Sequence, residues 1–338
     1  MQTAIVPSII APGRVRDMGA LDMGLRRRGR RSQQDAPLTV EFDGQAYLAG
    51  DGVWMHHSRP TERLNFSSLG NGVFGRVMTY AALGTALQPG THRGARVLYG
   101  LPVQVLESAA QAKRIMAELR RWMVGVHRFG VDGQPFEVEI AEVRGMAQPL
   151  GAFFAWAYQS GDRHALRRTI AIADPGFNTL DLYTVSNLAV SPLGTTGDTI
   201  GVHQAAKEVV HEVRRLTGVT ISLRQADSLL RRGEAVIQGH DITPVIQAAL
   251  QSNATAIAQA VNIAWDNLLA DVRIAAGGGA ALYQDYISRS LPGILVLPDP
   301  ATANARGLAQ YARRQLWEDA DLVIGLDPGF GAYKVAVG

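Results

Sequence analysis

The chain has 338 residues, enough for two ordinary domains or one large two-lobed one. Hydrophobic residues make up 47% and charged residues 19%, the balance of a soluble globular protein, and no apolar run approaches the roughly 18 residues of a membrane span. Net charge is only +3, and the absence of cysteine excludes disulfides, thiolate catalysis and Cys-ligated zinc.

The first residues carry neither a basic n-region nor a cleavable small-residue site, which predicts a cytoplasmic protein. Residues 3–10 are apolar and β-branched and read as a strand bounded by Pro12-Gly13. Arg26, Arg27, Arg28, Arg30 and Arg31 then concentrate much of the basic charge between Gly24 and Ser32. A solvated loop and a contact surface for an acidic partner both fit such a run. No aromatics are interleaved, so a base-stacking platform is not supported. Residues 38–42 and 45–49 flank Asp43-Gly44, the signal of a hairpin. A helix over 74–87 ends at Pro89-Gly90, a buried strand over 96–101 leads into Pro102, and a helix over 108–125 follows. Residues 136–143 alternate charged and apolar, as a half-buried strand does.

The second half repeats the rhythm. A short apolar strand over 169–173 runs into Asp174-Pro175-Gly176, and 180–186 continues it after a tight turn. A helix is predicted over 198–217 with Asp198 or Thr199 as its N-cap. Residues 242–271 form a long helical region with an expected interruption near Ser252-Asn253. A strand over 272–276 ends in Gly277-Gly278-Gly279, and a helix reaches Ser290. Then come a strand over 294–297, a helix over 302–317, and a strand over 322–326 that meets Asp327-Pro328-Gly329. Strands alternate with helices throughout, which predicts an α/β protein.

Two Asp-Pro-Gly-Phe turns carry the chemistry. In each, an apolar strand delivers an aspartate, Asp174 or Asp327, followed by a glycine-bearing turn and a second strand. Glycine lets backbone N–H groups approach phosphate oxygens with no Cβ in the way. An aspartate beside such a turn can hold hydrated Mg2+, and Lys334 follows where it can reach a phosphate as a point charge. A single Asp-Pro-Gly is more simply a structural turn; two matching copies after two apolar strands favour a duplicated phosphate-binding scaffold. The triple glycine at 277–279 permits close approach to a flat ligand, although glycines also serve helix–sheet packing.

Here the chain resembles the actin-like ATPases, most closely the plasmid-segregating ParM group and its archaeal relatives. The resemblance rests on Val97-Leu98-Tyr99-Gly100-Leu101-Pro102-Val103, Gln148-Pro149-Leu150-Gly151-Ala152, the Asp174 turn, the Gly277 loop and Ala303-Asn304-Ala305-Arg306-Gly307-Leu308. It implies duplicated ribonuclease-H-like lobes around a nucleotide cleft, with lobe I at 1–150 plus 303–338 and lobe II at 151–302. It also implies ATP or ADP with Mg2+. Asp327 and Asp174 would hold the hydrated ion from opposite lobes. Gly329, Gly331, Gly176 and Asn178 would present donors to phosphate oxygens, and Lys334 would neutralise β- and γ-phosphate charge. Gln148 would orient the attacking water, though a polar residue capping the link between lobes is the alternative. Gly277, Gly278 and Gly279 would line the nucleoside pocket. Glu208 and Glu212 would contact ribose or base, or else form an exposed helix face. One feature departs from the family: the lysine-bearing hairpin, over 322–338, closes the chain where relatives open with it, which implies a circular permutation.

The function implied is nucleotide-dependent, head-to-tail polymerisation, with a DNA-binding adaptor as a further partner and no membrane association. A small-molecule kinase and a non-polymerising ATP-binding adaptor are the alternatives; Asp181 and Asp198 are the available base candidates for a kinase. The pairs His56-His57 and His203, His211 lack a recognised metal-ligand spacing. Phe153, Phe154 and Trp156 are expected in the core rather than against adenine.

Overall fold

The computed structural model describes residues 1–15, 36–57, 59–62 and 72–338. The arginine run at 26–31 lies outside the described residues. Strands β1 (Gln2–Pro7), β2 (Ile9–Pro12), β3 (Leu38–Phe42), β4 (Gln45–Ala49), β5 (Thr61–Glu62), β6 (Gly90–Leu101), β7 (Gly125–Val131) and β8 (Gln134–Ala147) come first. Strands β9 (Ile170–Pro175), β10 (Leu180–Ser186), β11 (Ala189–Asp198), β12 (Val236–Ile237), β13 (His240–Asp241), β14 (Val272–Ala275), β15 (Ile294–Val296), β16 (Val323–Pro328) and β17 (Ala332–Val337) follow. The helices are α1 (Val53–His56), α2 (Val73–Ala86), α3 (Val103–Leu106), α4 (Ala109–Met123), α5 (Gln148–Gln159) and α6 (Val202–Thr217). After them come α7 (Leu223–Arg232), α8 (Thr243–Ala264), α9 (Gly278–Leu282), α10 (Gln284–Ser290) and α11 (Ala303–Tyr311).

The chain divides into two compact units. Unit 1 comprises Met1–Leu101, Val105–Met146 and Ala309–Gly338; unit 2 comprises Pro102–Gln104 and Ala147–Leu308. Unit 1 is built on a ten-stranded sheet in the order β1-β17-β16-β6-β8-β7-β3-β4-β2-β5. Its hairpins close where the chain offers residues that tolerate positive φ. Asp43-Gly44 stands at 50° and 74° between β3 and β4, and Asp132-Gly133 at 50° and 77° between β7 and β8. Helix α2 lies on this sheet; a Cβ at Gly84 would fall 2.8 Å from Val131 Cβ on β7, closer than real Cβ contacts come, so the helix seats only because that residue is glycine. Helix α4 begins at Ser108, whose hydroxyl accepts from Gln111 N–H, and buries Ile115, Met116, Leu119 and Met123 along one face.

Unit 2 is built on a five-stranded sheet in the order β11-β10-β9-β14-β15. Helix α6 buries Val202, Ala205, Ala206, Val209 and Val213 against its core, the spacing of one helical stripe. Each of those valines, fully buried, contributes about 1.5–3 kcal/mol. Phe153, Phe154 and Trp156 of α5 are buried, as expected of core residues.

The two sheets share one arrangement. In unit 2, β11, β10 and β9 are antiparallel neighbours, and β14 runs parallel to β9. In unit 1, β1, β17 and β16 are antiparallel neighbours, and β6 runs parallel to β16. The equivalent strands are consecutive in unit 2 (β9, β10, β11). In unit 1 they occur as β16, β17 and β1.

Several boundaries differ from the sequence reading, each for a local reason. The strand expected over 3–10 breaks at Ser8, whose hydroxyl donates to Gly329 O and whose N–H donates to Gly331 O. The helix expected from 198 starts at Val202, and Asp198 instead closes β11. Its first two N–H groups are satisfied by the carbonyls of Gly176 (3.2 Å) and Phe177 (2.8 Å), so no side-chain cap at Asp198 or Thr199 is required. The helical region over 242–271 ends at Ala264 and runs unbroken through Ser252-Asn253. Asn253 is buried there because Tyr283 Oη donates to its Oδ1 at 2.6 Å. Strands β5, β7, β11, β12 and β13 and helices α1, α3, α5 and α7 have no counterpart in the sequence reading.

Candidate functional site

Both Asp-Pro-Gly-Phe segments are the turns of hairpins, β9–β10 in unit 2 and β16–β17 in unit 1. Their backbones close identically: Gly176 N–H donates to Thr179 O at 2.7 Å, and Gly329 N–H donates to Ala332 O at 3.0 Å. A Cβ at either glycine would press on the carbonyl that closes the turn, at 3.1 Å from Thr179 O or 2.9 Å from Ala332 O. Glycine is therefore a packing requirement at 329, while at 176 the Thr179 carbonyl would have to give by a few tenths of an ångström. These N–H groups hold the turn together, so as phosphate donors they would have to exchange a carbonyl partner. Asn178 and Gly331 sit in the same turns and are half-buried.

The aspartates occupy matching registers with different partners. In unit 1, Asp327 pairs across the hairpin with Lys334. Lys334 Nζ lies 3.1 Å from Asp327 Oδ2, with the two side chains 13% and 3% exposed, so the ion pair is largely dry. A Cβ at Gly329 would come 2.9 Å from Lys334 Nζ, so the lysine head is packed against the turn itself. In unit 2, Asp174 pairs across the hairpin with a second carboxylate, Asp181. Gln104 Nε2 donates to Asp181 Oδ1 at 2.6 Å, and Asn304 Nδ2 donates to Asp174 Oδ2 at 2.6 Å. Asp181 is 7% exposed.

The triple glycine serves this second turn. Gly277 adopts φ of +89°, and its N–H donates to Pro300 O at 2.7 Å. A Cβ there would stand 2.9 Å from Asp174 Cγ and closer still to Oδ1. A Cβ at Gly279 would meet the Pro175 carbonyl carbon at 3.0 Å. Gly278 faces open space, with nothing within 4 Å of its Cβ position. Gly277 and Gly279 thus let the strand-to-helix turn approach Asp174-Pro175, whereas Gly278 presents an open side.

Gln148 is the first residue of α5 and is buried at 8% exposure. Glu208 is exposed on α6, and Glu212 forms a 2.7 Å ion pair with Arg215, as on a solvated helix face. His203 Nδ1 lies 3.2 Å from Phe177 O, and burial lowers the pKa of its ring below the ordinary histidine value. Among the described residues no group of three or more His, Asp or Glu could hold a metal by itself. No helix among them is long and apolar enough to cross a membrane.

Three features escape the sequence reading. Ser8 fastens the unit 1 turn, Gln104 holds Asp181, and Asn304 holds Asp174. Asp181 enters the sequence reading only as a kinase base, yet the shared Asp-x6-Asp and Asp-x6-Lys spacing is there to be read as a cross-strand pair.

A family model for the N-terminal domain of actin-like proteins matches residues 1–151. Another, for the C-terminal part of archaeal MreB-like actin homologues, matches residues 172–289. The chain is an actin-like protein. Its fold is similar to that of the archaeal actin homologue Ta0583, with a TM-score of 0.70 at 16% identity over 92% of this chain and 93% of that one. A ParM from a 15-stranded filament of Clostridium botulinum gives 0.68 at 18% identity, covering 92% and 93%. Bacillus thuringiensis ParM with ATP gives 0.59 at 12% identity, covering 90% and 89%. Among curated proteins none matches the chain. At these identities the structural likeness establishes the actin-like fold.

Proposed function

We propose that this actin-like protein is a Mg2+-dependent ATPase of the cytoplasm whose nucleotide state controls head-to-tail assembly into filaments. It would move or segregate DNA or another cargo through an adaptor protein. The observation that carries the proposal is the pair of hairpins with the same glycine closure and an aspartate at the same register. One of these aspartates faces a lysine and the other a second carboxylate. The solved relatives add support: one ParM is described with ATP, another as a filament, and the archaeal homologue also in complex with ADP.

In this reading Lys334 carries the positive charge that meets the phosphates, and Asp174, Asp181 and Asp327 supply the hard oxygen donors that suit Mg2+. Carboxylates in pairs rather than in a closed cage fit an ion that keeps most of its water. When bound, the ion would neutralise phosphate charge. Gln148, an amide and therefore a poor base, would position the attacking water, which suffices where alignment and charge stabilisation dominate. Gly278 would face the nucleoside. The strand order of unit 1 fits a circular permutation, because β16 and β17 hold the places that β9 and β10 hold in unit 2 but come after every other strand in the chain.

The test is high-speed sedimentation with negative-stain microscopy and phosphate release, with ATP, ADP or no nucleotide, on wild type and Asp174→Ala. Filaments that need ATP, with phosphate release lost in Asp174→Ala, are expected. A wild type that stays soluble with every nucleotide removes the filament proposal, and one that releases no phosphate removes the ATPase proposal.

A further inference from the structure

Asn304 is 2% exposed, in the first turn of α11, and its amide is wired at both ends. Nδ2 donates to Asp174 Oδ2 at 2.6 Å, and Oδ1 accepts from Ala152 N–H at 3.1 Å. The partners fix which end is which: a carboxylate can only accept and a backbone N–H can only donate. The side chain cannot flip without breaking both bonds. Its position is also fixed by backbone packing. A Cβ at Gly151 on α5 would overlap Asn304 Cα at 2.6 Å, and one at Gly307 would come 2.6 Å from Ala155 N. Helices α5 and α11 therefore touch backbone to backbone, and Asn304 sits where they meet. On its other side Asp174 abuts Gly277, so one carboxylate oxygen is held by Asn304 and the other lies against a glycine that leaves it room.

We infer that Asn304 is a positioning residue that sets the rotamer of Asp174 for divalent-cation coordination and ties it to α5, the helix that begins with Gln148. A charge-assisted bond of this length holds the carboxylate without neutralising it, which a lysine or arginine in the same place would do. The inference rests on the ATPase proposal and adds the residue on which its metal dependence turns.

Asn304→Leu tests it with little change of shape, since it keeps the volume and removes the donor to Asp174 Oδ2. Phosphate release and Mg2+·ATP-induced thermal stabilisation are measured against Mg2+ concentration. Loss of one hydrogen bond to a charged group predicts about tenfold more Mg2+ for half-maximal effect in Asn304→Leu, and a similar rise in Asn304→Ala. In an Asp174→Ala background neither substitution should move the Mg2+ dependence of thermal stabilisation further. A wild-type Mg2+ profile in a folded Asn304→Leu or Asn304→Ala, or variants that change only the melting temperature, overturn the positioning role and leave the ATPase proposal standing. A wild type with no Mg2+·ATP-dependent stabilisation overturns both.

Discussion

Gly277 and Gly278 are chemically identical neighbours to which the structure gives different jobs, and alanine at each separates them. At 277 the backbone stands at φ +89°, and a Cβ would lie 2.9 Å from Asp174 Cγ and 3.4 Å from Pro175 O. To reach ordinary contact at 3.4 Å the carboxyl carbon must withdraw by at least 0.5 Å (3.4 − 2.9), and Oδ1 by more. With ψ at 172° this backbone lies in a region essentially reserved for glycine, which costs another residue about 1–3 kcal/mol, and overpacking adds about 1–3 kcal/mol. Gly277→Ala should therefore lose about 2–6 kcal/mol from unit 2, roughly 4–24 °C in its melting temperature for a domain of this size. At 278 nothing lies within 4 Å, so Gly278→Ala should leave ligand-free stability within about 0.5 kcal/mol. Its effect should instead fall on nucleotide affinity, because the methyl group projects into the open side. Differential scanning calorimetry of the ligand-free variants, followed by titration with ADP and Mg2+, reads both quantities. A Gly277→Ala protein that melts with the wild type would refute the packing argument. A Gly278→Ala protein with wild-type ADP affinity would refute the assignment of that face to a ligand.

Lys334→Met should cost about 3–5 kcal/mol by stranding the buried Asp327 charge, and Asp327→Leu/Lys334→Met should recover most of it; urea melts of the two single variants and the double variant check this, and additive losses would refute it. His127 Nε2–H donates to Met123 O at 2.7 Å, so Nδ1 accepts from Tyr80 Oη at 2.8 Å, and burial lowers the ring's pKa. A lowered histidine pKa means that the unfolded chain takes up a proton first as pH falls below about 6.5. Stability should then drop by up to about 1.4 kcal/mol per pH unit until the folded pKa is reached, and that slope should shrink in His127→Gln. Denaturant midpoints between pH 7.5 and 5.5 measure it.

Much of the framework is legible in the sequence because local chemistry dictates it. Asp43-Gly44 can hardly be anything but a two-residue turn, and the apolar spacing along α6 is enough to say which of its faces is buried. Asp132-Gly133 carries the same turn signal, so β7 is readable too, one strand upstream of the alternating run at β8. The start of α6 is not readable. Asp198 and Thr199 are good capping residues by composition, but the helix begins where the carbonyls of Gly176 and Phe177, more than twenty residues away, satisfy its first N–H groups. Asn253 looks like a helix break for the same reason: its partner, Tyr283, is thirty residues downstream. At the site, both aspartates and the lysine stand out in the sequence because the turns repeat. Of the residues that hold them, Ser8 and Gln104 have no local signature, and Asn304 lies in a recognisable motif that does not show its role; only the tertiary fold brings the three to the turns.

The two turns show how one backbone device can carry two electrostatic roles. In both, glycine closes the hairpin by the same hydrogen bond, and the residue seven positions after the aspartate faces it across the strands. That facing residue is the variable. Lysine at 334 leaves the unit 1 pair formally neutral and places an ammonium where an incoming phosphate could compete with Asp327 for it. Aspartate at 181 leaves two carboxylates at facing positions in unit 2; the amides of Asn304 and Gln104 donate to them, and Thr179 Oγ1 donates to Asp181 Oδ2 at 3.5 Å. Amides and hydroxyls orient a carboxylate without cancelling its charge. A cationic donor at 304 or 104 would hold the aspartate as firmly but add a positive charge beside it. The choice of amide over lysine or arginine at these two positions is therefore the feature of unit 2 that bears most directly on the proposed metal dependence.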